Sequence, residues 1–100
     1  MDKFKIAPQS FFEVLWTSDK SQTATMVLHP GEESSSGMEQ HRGDQITYCL
    51  EGEGTITTEK GKIILKEGEL LALEVREKHH FRNTGKKDWK VLLFYAPPEY

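Results

Sequence analysis

The amino-acid sequence predicts an all-β fold, either a sandwich or a closed barrel. Turn-forming residues recur at short intervals, among them Pro30-Gly31, Gly52, Gly68 and Thr84-Gly85. The segments between these turns are rich in β-branched and aromatic residues, which favour extended strands. No segment shows a sustained apolar period of 3.6 residues, so the sequence predicts no helix.

The first half of the chain contains three predicted strands. Residues 11–16 and 23–29 have the composition of strands, and Pro30-Gly31 ends the second of them. The polar stretch 32–37 consists of glutamate, serine and glycine, and we predict a loop there. Residues 45–50 present alternate side chains to two faces and are predicted to form the third strand.

The second half of the chain contains the remaining strands. Residues 55–58 and 62–65 flank Lys60-Gly61, and glycine accepts the positive φ that a tight hairpin requires. The sequence therefore predicts that these two strands pair as a hairpin. Turn residues bound each of the last three predicted strands, which are residues 70–75, 79–82 and 89–96.

Several strands are apolar on both faces, and both faces then have to be covered. Residues 45–50 show this: one face carries Gln45, Thr47 and Cys49, and the other carries Ile46, Tyr48 and Leu50. A sandwich or closed barrel covers one of these faces. A second subunit would cover the other, so we expect a homodimer.

Composition limits the classes of protein to which this chain can belong. A length of 100 residues with 36% hydrophobic residues fits one domain over residues 1–100, and no apolar run approaches the ~20 residues that span a bilayer. A net charge of −3 gives no basic field for nucleic acid. The single cysteine, Cys49, and the lack of a secretory signal at residues 1–6 lead us to expect a cytoplasmic protein.

Four polar residues form the candidate site. Glu39 and His41 lie two residues apart, so an extended segment projects both side chains to one face, and Gln45 shares that parity if the strand continues. His79 lies far along the chain. An inward-facing histidine pair in an arbitrary β-protein is more often hydrogen-bonded core than metal site, so spacing alone leaves both readings open.

The same positions resemble the first of two motifs that identify the cupin family. That motif is G-x5-H-x-H-x3-4-E-x6-G. Glu39-Gln40-His41 stands at H-x-H, Gln45 stands at the glutamate, and Gly52 stands at the closing glycine. A carboxylate thus replaces one imidazole, and a neutral amide replaces the carboxylate.

The second cupin motif, G-x5-P-x-G-x2-H-x3-N, is also recognisable. Gly68, His79 and Asn83 match it, whereas Glu74 and Arg76 replace its proline and its second glycine. The resemblance covers roughly residues 23–97 and implies the cupin double-stranded β-helix, also called a jelly-roll barrel.

The resemblance also implies a divalent metal ion inside the barrel. Carried over position by position, its ligands would be Glu39, His41, Gln45 and His79. The paired substitutions keep one negative charge but move it to Glu39, unless that side chain turns outward into solvent. Fe, Zn, Mn and Ni all accept imidazole and oxygen donors, so the metal is not distinguished.

Three functions are compatible with this resemblance, because one fold hosts many activities. The first is a metal-dependent enzyme acting on a small polar molecule, such as a sugar acid or a keto or hydroxy acid. The second is a module that binds such a ligand without turnover. The third is a metal-free barrel that serves as an oligomeric interaction protein. No catalytic residue is assigned, and Cys49 is expected to be a small buried hydrophobe.

Overall fold

The protein is built from strands alone. The computed structural model describes residues 1–100, and none of its segments forms a helix that could cross a membrane. Its eight strands are β1 (Phe12–Thr17), β2 (Gln22–Leu28), β3 (Asp44–Glu51), β4 (Glu53–Thr58), β5 (Gly61–Lys66), β6 (Leu70–Leu73), β7 (His79–Arg82) and β8 (Trp89–Ala96). The prediction of an all-β fold is confirmed.

The strands form two antiparallel sheets. The larger sheet has the order β1-β2-β8-β3-β6, and the smaller sheet has the order β5-β4-β7. Their inner faces meet around a core that includes Leu28, Cys49, Ile56, Phe81 and Trp89. Two antiparallel sheets packed over a shared core are the architecture of a jelly-roll barrel, as expected from the sequence.

Strand boundaries agree with the sequence predictions to within two residues. β7 and β8 match completely, whereas β6 ends at Leu73, two residues before its predicted end. The reason is a turn: the Glu77 N–H donates to the Glu74 carbonyl at 3.1 Å, and Arg76 has a left-handed φ of 63°. A strand residue cannot adopt that φ, so the pairing stops.

The predicted hairpin joins β4 to β5. Thr58 pairs with Gly61, which leaves Glu59 and Lys60 as the two loop residues. Gly61 has a φ of 129°, the positive value for which glycine was predicted at this turn.

Two features of the fold position the candidate site. On β3, the inward parity buries Gln45, Thr47 and Cys49, while β7 buries His79 on the opposing sheet. The loop before β3 is attached to β7 by an isolated bridge, in which the Glu39 N–H donates to the His79 carbonyl at 2.7 Å and the His79 N–H donates to the Glu39 carbonyl at 2.9 Å. Residues forty positions apart are therefore neighbours.

Candidate functional site

A cavity of about 220 Å³ lies between the inner faces of the two sheets. Side chains from both sheets and from the segments outside them form its wall. The lining residues are Phe11, Phe12, Met26, Ser34, Glu39, His41, Gln45, His79, Phe81, Leu93, Tyr95 and Tyr100. All four residues predicted as metal ligands line this one cavity, so the structure brings them together.

His79 is held in one orientation by the backbone. Its Nδ1 lies 2.9 Å from the carbonyl oxygen of Glu77. A carbonyl only accepts hydrogen bonds, so we assign the proton to Nδ1, which leaves the Nε2 lone pair free. Burial lowers the pKa of the His79 imidazole, which favours the neutral form that binds metals.

His41 faces His79 across the cavity. Their ring centroids lie 4.9 Å apart, and the Nδ1 of His41 lies 3.5 Å from a carboxylate oxygen of Glu99. The His41 ring also meets the Tyr95 ring edge-on at 5.4 Å. His41 therefore lies where the polar and aromatic parts of the cavity wall meet.

Gln45 presents an unsatisfied oxygen. Its Nε2 donates to the hydroxyl of Thr47 at 3.3 Å, which turns Oε1 away from Thr47. Oε1 is buried and has no hydrogen-bond partner, and no other buried side-chain nitrogen or oxygen is left unpaired. Leaving such an atom unpaired costs about 1–3 kcal/mol, so the site has an acceptor that a bound group could satisfy.

Glu39 lines the cavity and is half-buried. The hydroxyl of Ser34 donates to Oε2 of Glu39 at 3.1 Å. Burial, and after it the charge of Glu39, raises the pKa of the Tyr100 phenol, as expected for a carboxylate on the same cavity. No lysine or arginine lines the cavity, so the carboxylate has no cationic partner there.

The side chains on the cavity wall offer the kinds of atoms that coordinate a divalent metal ion. They comprise two imidazole nitrogens, an unpaired amide oxygen and a carboxylate, a set that Fe, Zn, Mn or Ni accepts. The side chains are not already gathered as ligands, because no group of three histidine, cysteine, aspartate or glutamate residues has the arrangement of a metal site. Metal binding by Glu39, His41, Gln45 and His79 therefore stays a prediction.

Asn83, a motif residue, has a structural role. Its Nδ2 donates to the carbonyl oxygens of Leu28 at 2.7 Å and Lys87 at 2.9 Å, and its Oδ1 accepts from the Gly85 N–H at 2.9 Å. The buried side chain thereby fixes the loop between β7 and β8 against the end of β2.

Sequence reasoning missed the aromatic part of the cavity wall. Tyr95 could have been found by parity, since Trp89, Val91, Leu93 and Tyr95 alternate along β8 and are all buried. Tyr100 gave no signal, because it lies beyond the last strand. Its ring packs against Phe12 at 4.8 Å and Tyr95 at 5.3 Å between centroids.

Comparison with known proteins identifies relatives over most of the chain. A family model described as a cupin domain matches residues 24–95. The H2HPP isomerase of Bacillus subtilis is 31% identical over 71 residues, which are 71% of this chain and 30% of that protein. The chain spans less than half the length of the curated relatives it matches.

Solved structures resemble the whole barrel. A protein from Bacillus halodurans is 27% identical, with a TM-score of 0.84 over 93% of this chain and 74% of that chain. A predicted oxalate decarboxylase from Thermotoga maritima is also 27% identical, with a TM-score of 0.78 over 87% of this chain and 79% of that chain.

Proposed function

The chain belongs to the cupin family, and from this premise we propose that its cavity binds a divalent metal ion together with a small molecule. The ion would be held by His41 and His79, with Glu39 and Gln45 as oxygen donors. The small molecule would be a keto, hydroxy or sugar acid that shares the cavity with the ion.

One observation carries the proposal: the polar end of the cavity contains only electron-pair donors. Two imidazoles, the unpaired Oε1 of Gln45 and the carboxylate of Glu39 line it, and no side-chain cation does. An uncompensated carboxylate in a partly apolar cavity is costly, and a bound cation would remove that cost. A divalent ion would also give the unpaired Oε1 of Gln45 a partner.

Glu39 and Ser34 would then have different roles beside the bound ion. Glu39 carries the only carboxylate among the lining side chains, so it would be the group that takes or returns a proton. Ser34 orients that carboxylate through its hydroxyl. When bound, the ion would act as a Lewis acid and would balance the charge of an acidic ligand, which Glu39 alone would repel.

Small-molecule chemistry also agrees with the names of similar proteins. H2HPP isomerase and the predicted oxalate decarboxylase are named as small-molecule enzymes. Turnover of a keto or hydroxy acid by the metal-loaded protein would make this chain an enzyme. Ligand-induced stabilisation without turnover would make it a binding module.

Metal analysis of protein purified without added metal tests the proposal. We expect about one divalent ion per chain, and we expect its loss from the His41→Ala/His79→Ala double variant. The matched control is His29→Ala/His80→Ala, because these two histidines lie outside the cavity wall. Full occupancy in the cavity variant would overturn the site. Wild-type protein that Fe, Zn, Mn and Ni all fail to load would favour the metal-free module instead.

The outer face of the larger sheet supports a homodimer as part of the proposal. Ile46 of β3 is paired with Phe94 of β8 and with Ala72 of β6, and all three are exposed. Leu70 of β6 is 59% exposed on the same face. A second copy of the chain would cover this apolar row.

A further inference from the structure

We propose that the ligand is an acid carrying a single aromatic ring, which occupies the apolar end of the cavity. This inference rests on the proposed function, because the acid end of the ligand needs the metal ion. It narrows the ligand to aromatic keto or hydroxy acids and excludes sugar acids and purely aliphatic acids as preferred ligands.

The apolar end of the cavity has a largely aromatic wall. Seven of the twelve lining residues are hydrophobic, and five of these are aromatic: Phe11, Phe12, Phe81, Tyr95 and Tyr100. Aromatic rings prefer edge-to-face and offset-stacked neighbours, which a planar ring ligand supplies. A sugar acid would instead place hydroxyl groups against the three phenylalanine rings, where they lose hydrogen bonds to water without replacement.

The cavity is large enough to hold one aromatic ring. A cavity of about 150 Å³ lined by apolar side chains binds benzene. The cavity here measures about 220 Å³, which leaves room for one ring and a short acid side chain.

The distribution of charge fixes which end of the ligand lies where. The wall carries the Glu39 carboxylate and no lysine or arginine, and the Glu99 carboxylate lies 3.5 Å from Nδ1 of His41, so the acid group of a ligand would lie at the ion. His41 joins the two ends, with its ring 4.9 Å from that of His79 and 6.0 Å from that of Tyr100. A ring attached to an acid group at the ion therefore reaches Tyr95 and Tyr100.

Tyr100 is the wall residue that best tests the inference. Its ring contacts Phe12 and Tyr95, yet the residue is 57% exposed at the edge of the cavity. Truncating it removes aromatic wall without emptying the core, so the variant should fold.

The experiment compares acids that differ only in the ring. Calorimetric titration of Zn²⁺-loaded protein would use phenylpyruvate against pyruvate and mandelate against lactate, with gluconate as the sugar acid; Zn²⁺ is chosen because it has no redox chemistry. We expect each ring-bearing acid to bind at least tenfold more tightly than its partner, and gluconate to bind no better than lactate.

Variants locate the ring. Tyr100→Ala should reduce the affinity for phenylpyruvate severalfold while leaving the affinities for pyruvate and Zn²⁺ unchanged. Phe4→Ala, which removes an exposed aromatic ring outside the cavity, should change none of them. Equal affinities within both acid pairs in protein that does bind Zn²⁺ would overturn the ring site and leave the metal proposal standing.

If the metal proposal fails, the aromatic site can still be tested in the metal-free protein. If Zn²⁺ does not bind, the metal-free protein is titrated with neutral benzyl alcohol and, as the ring-free control, with ethanol. Amide and ring NMR shifts at His41, Tyr95 and Tyr100 that only benzyl alcohol causes would support the aromatic end. Shifts that are absent, or equal for both alcohols, would overturn it.

Discussion

The two ends of the cavity are held in place by different parts of the chain. At the polar end, Gln45 lies on β3, His79 lies on β7, and Glu39 is bonded through its backbone to His79. At the apolar end, Phe11 precedes β1 and Tyr100 follows β8. Each end combines strand residues with residues outside the strands, but sheet register fixes Gln45 and His79 at the polar end, whereas Tyr100 at the apolar end lies on a segment that can vary without changing the barrel.

Two side chains tie the segment that carries Tyr100 to the barrel: the Arg42 guanidinium, which donates to the Pro98 carbonyl, and the buried amide of Gln22. Gln22, on β2, is 1% exposed, and its Oε1 accepts from the N–H groups of Glu99 at 3.2 Å and Tyr100 at 2.9 Å. Its Nε2 donates to the backbone oxygen of Tyr100 at 2.6 Å and to the hydroxyl of Thr17 at 3.0 Å. The position of Tyr100 therefore depends on side-chain hydrogen bonds, whereas the positions of Gln45 and His79 depend on sheet pairing.

The largest expected effect comes from removing the charge at the polar end. Glu39→Gln should weaken metal affinity on the order of 10–100-fold, because it deletes the only carboxylate on the cavity wall. Gln45→Ala should weaken it less than Glu39→Gln does, since an amide oxygen is a weaker donor than a carboxylate. Competitive chelator titration of the two variants measures the ranking.

The reverse ranking would mean that the unpaired oxygen of Gln45, and not the charge of Glu39, is the main oxygen donor. Ser34→Ala is the matched control, because it removes the hydroxyl that bonds Glu39 and keeps the charge. Ser34→Ala should weaken metal affinity less than Glu39→Gln does.

The second effect, at the apolar end, is on stability. Gln22→Ala should lower the free energy of unfolding by about 2 kcal/mol, because it removes a buried side chain that makes four hydrogen bonds. For a chain of this size each kcal/mol is worth about 4–8 °C in Tm, which thermal unfolding resolves. Metal affinity should change less than in Glu39→Gln, because the released segment makes its polar contact with the proposed ligands through Glu99, whose carboxylate lies 3.5 Å from Nδ1 of His41. Gln9→Ala, at an exposed position, should leave both quantities as they are, and a Gln22→Ala variant as stable as wild type would show that the tie is not needed.

The sequence predicted the polar end of the site better than the apolar end. Inward parity on β3 led to Gln45, because strand register converts spacing directly into position, and the two motifs led to His41 and His79. Tyr100 and Gln22 could not be predicted, since their contact joins residues 78 apart through side-chain hydrogen bonds that no local pattern encodes. The early end of β6 was missed for a related reason, because the left-handed turn at Arg76 replaces a glycine signal. The homodimer and the cytoplasmic location stay predictions.

The smallest expected effect concerns that turn, which borders the polar end. Arg76 has a φ of 63°, a conformation that costs a residue with a Cβ about 1–2 kcal/mol and costs glycine little. Arg76→Gly should therefore raise the free energy of unfolding by about 1 kcal/mol, seen as a higher Tm. Arg76→Ala is the control that separates strain from charge, since it removes the guanidinium and keeps the Cβ.

Metal affinity in Arg76→Gly would sharpen the contrast between the two ends. The Arg76 N–H donates to the His41 carbonyl at 3.0 Å, so the turn contacts the backbone of a proposed ligand. If the contacts of the His41 side chain and the sheets fix the position of its imidazole, relaxing the turn should raise stability and leave metal affinity unchanged. A gain in stability matched by Arg76→Ala would assign the effect to charge. A change in metal affinity would instead show that the position of the His41 imidazole depends on this turn.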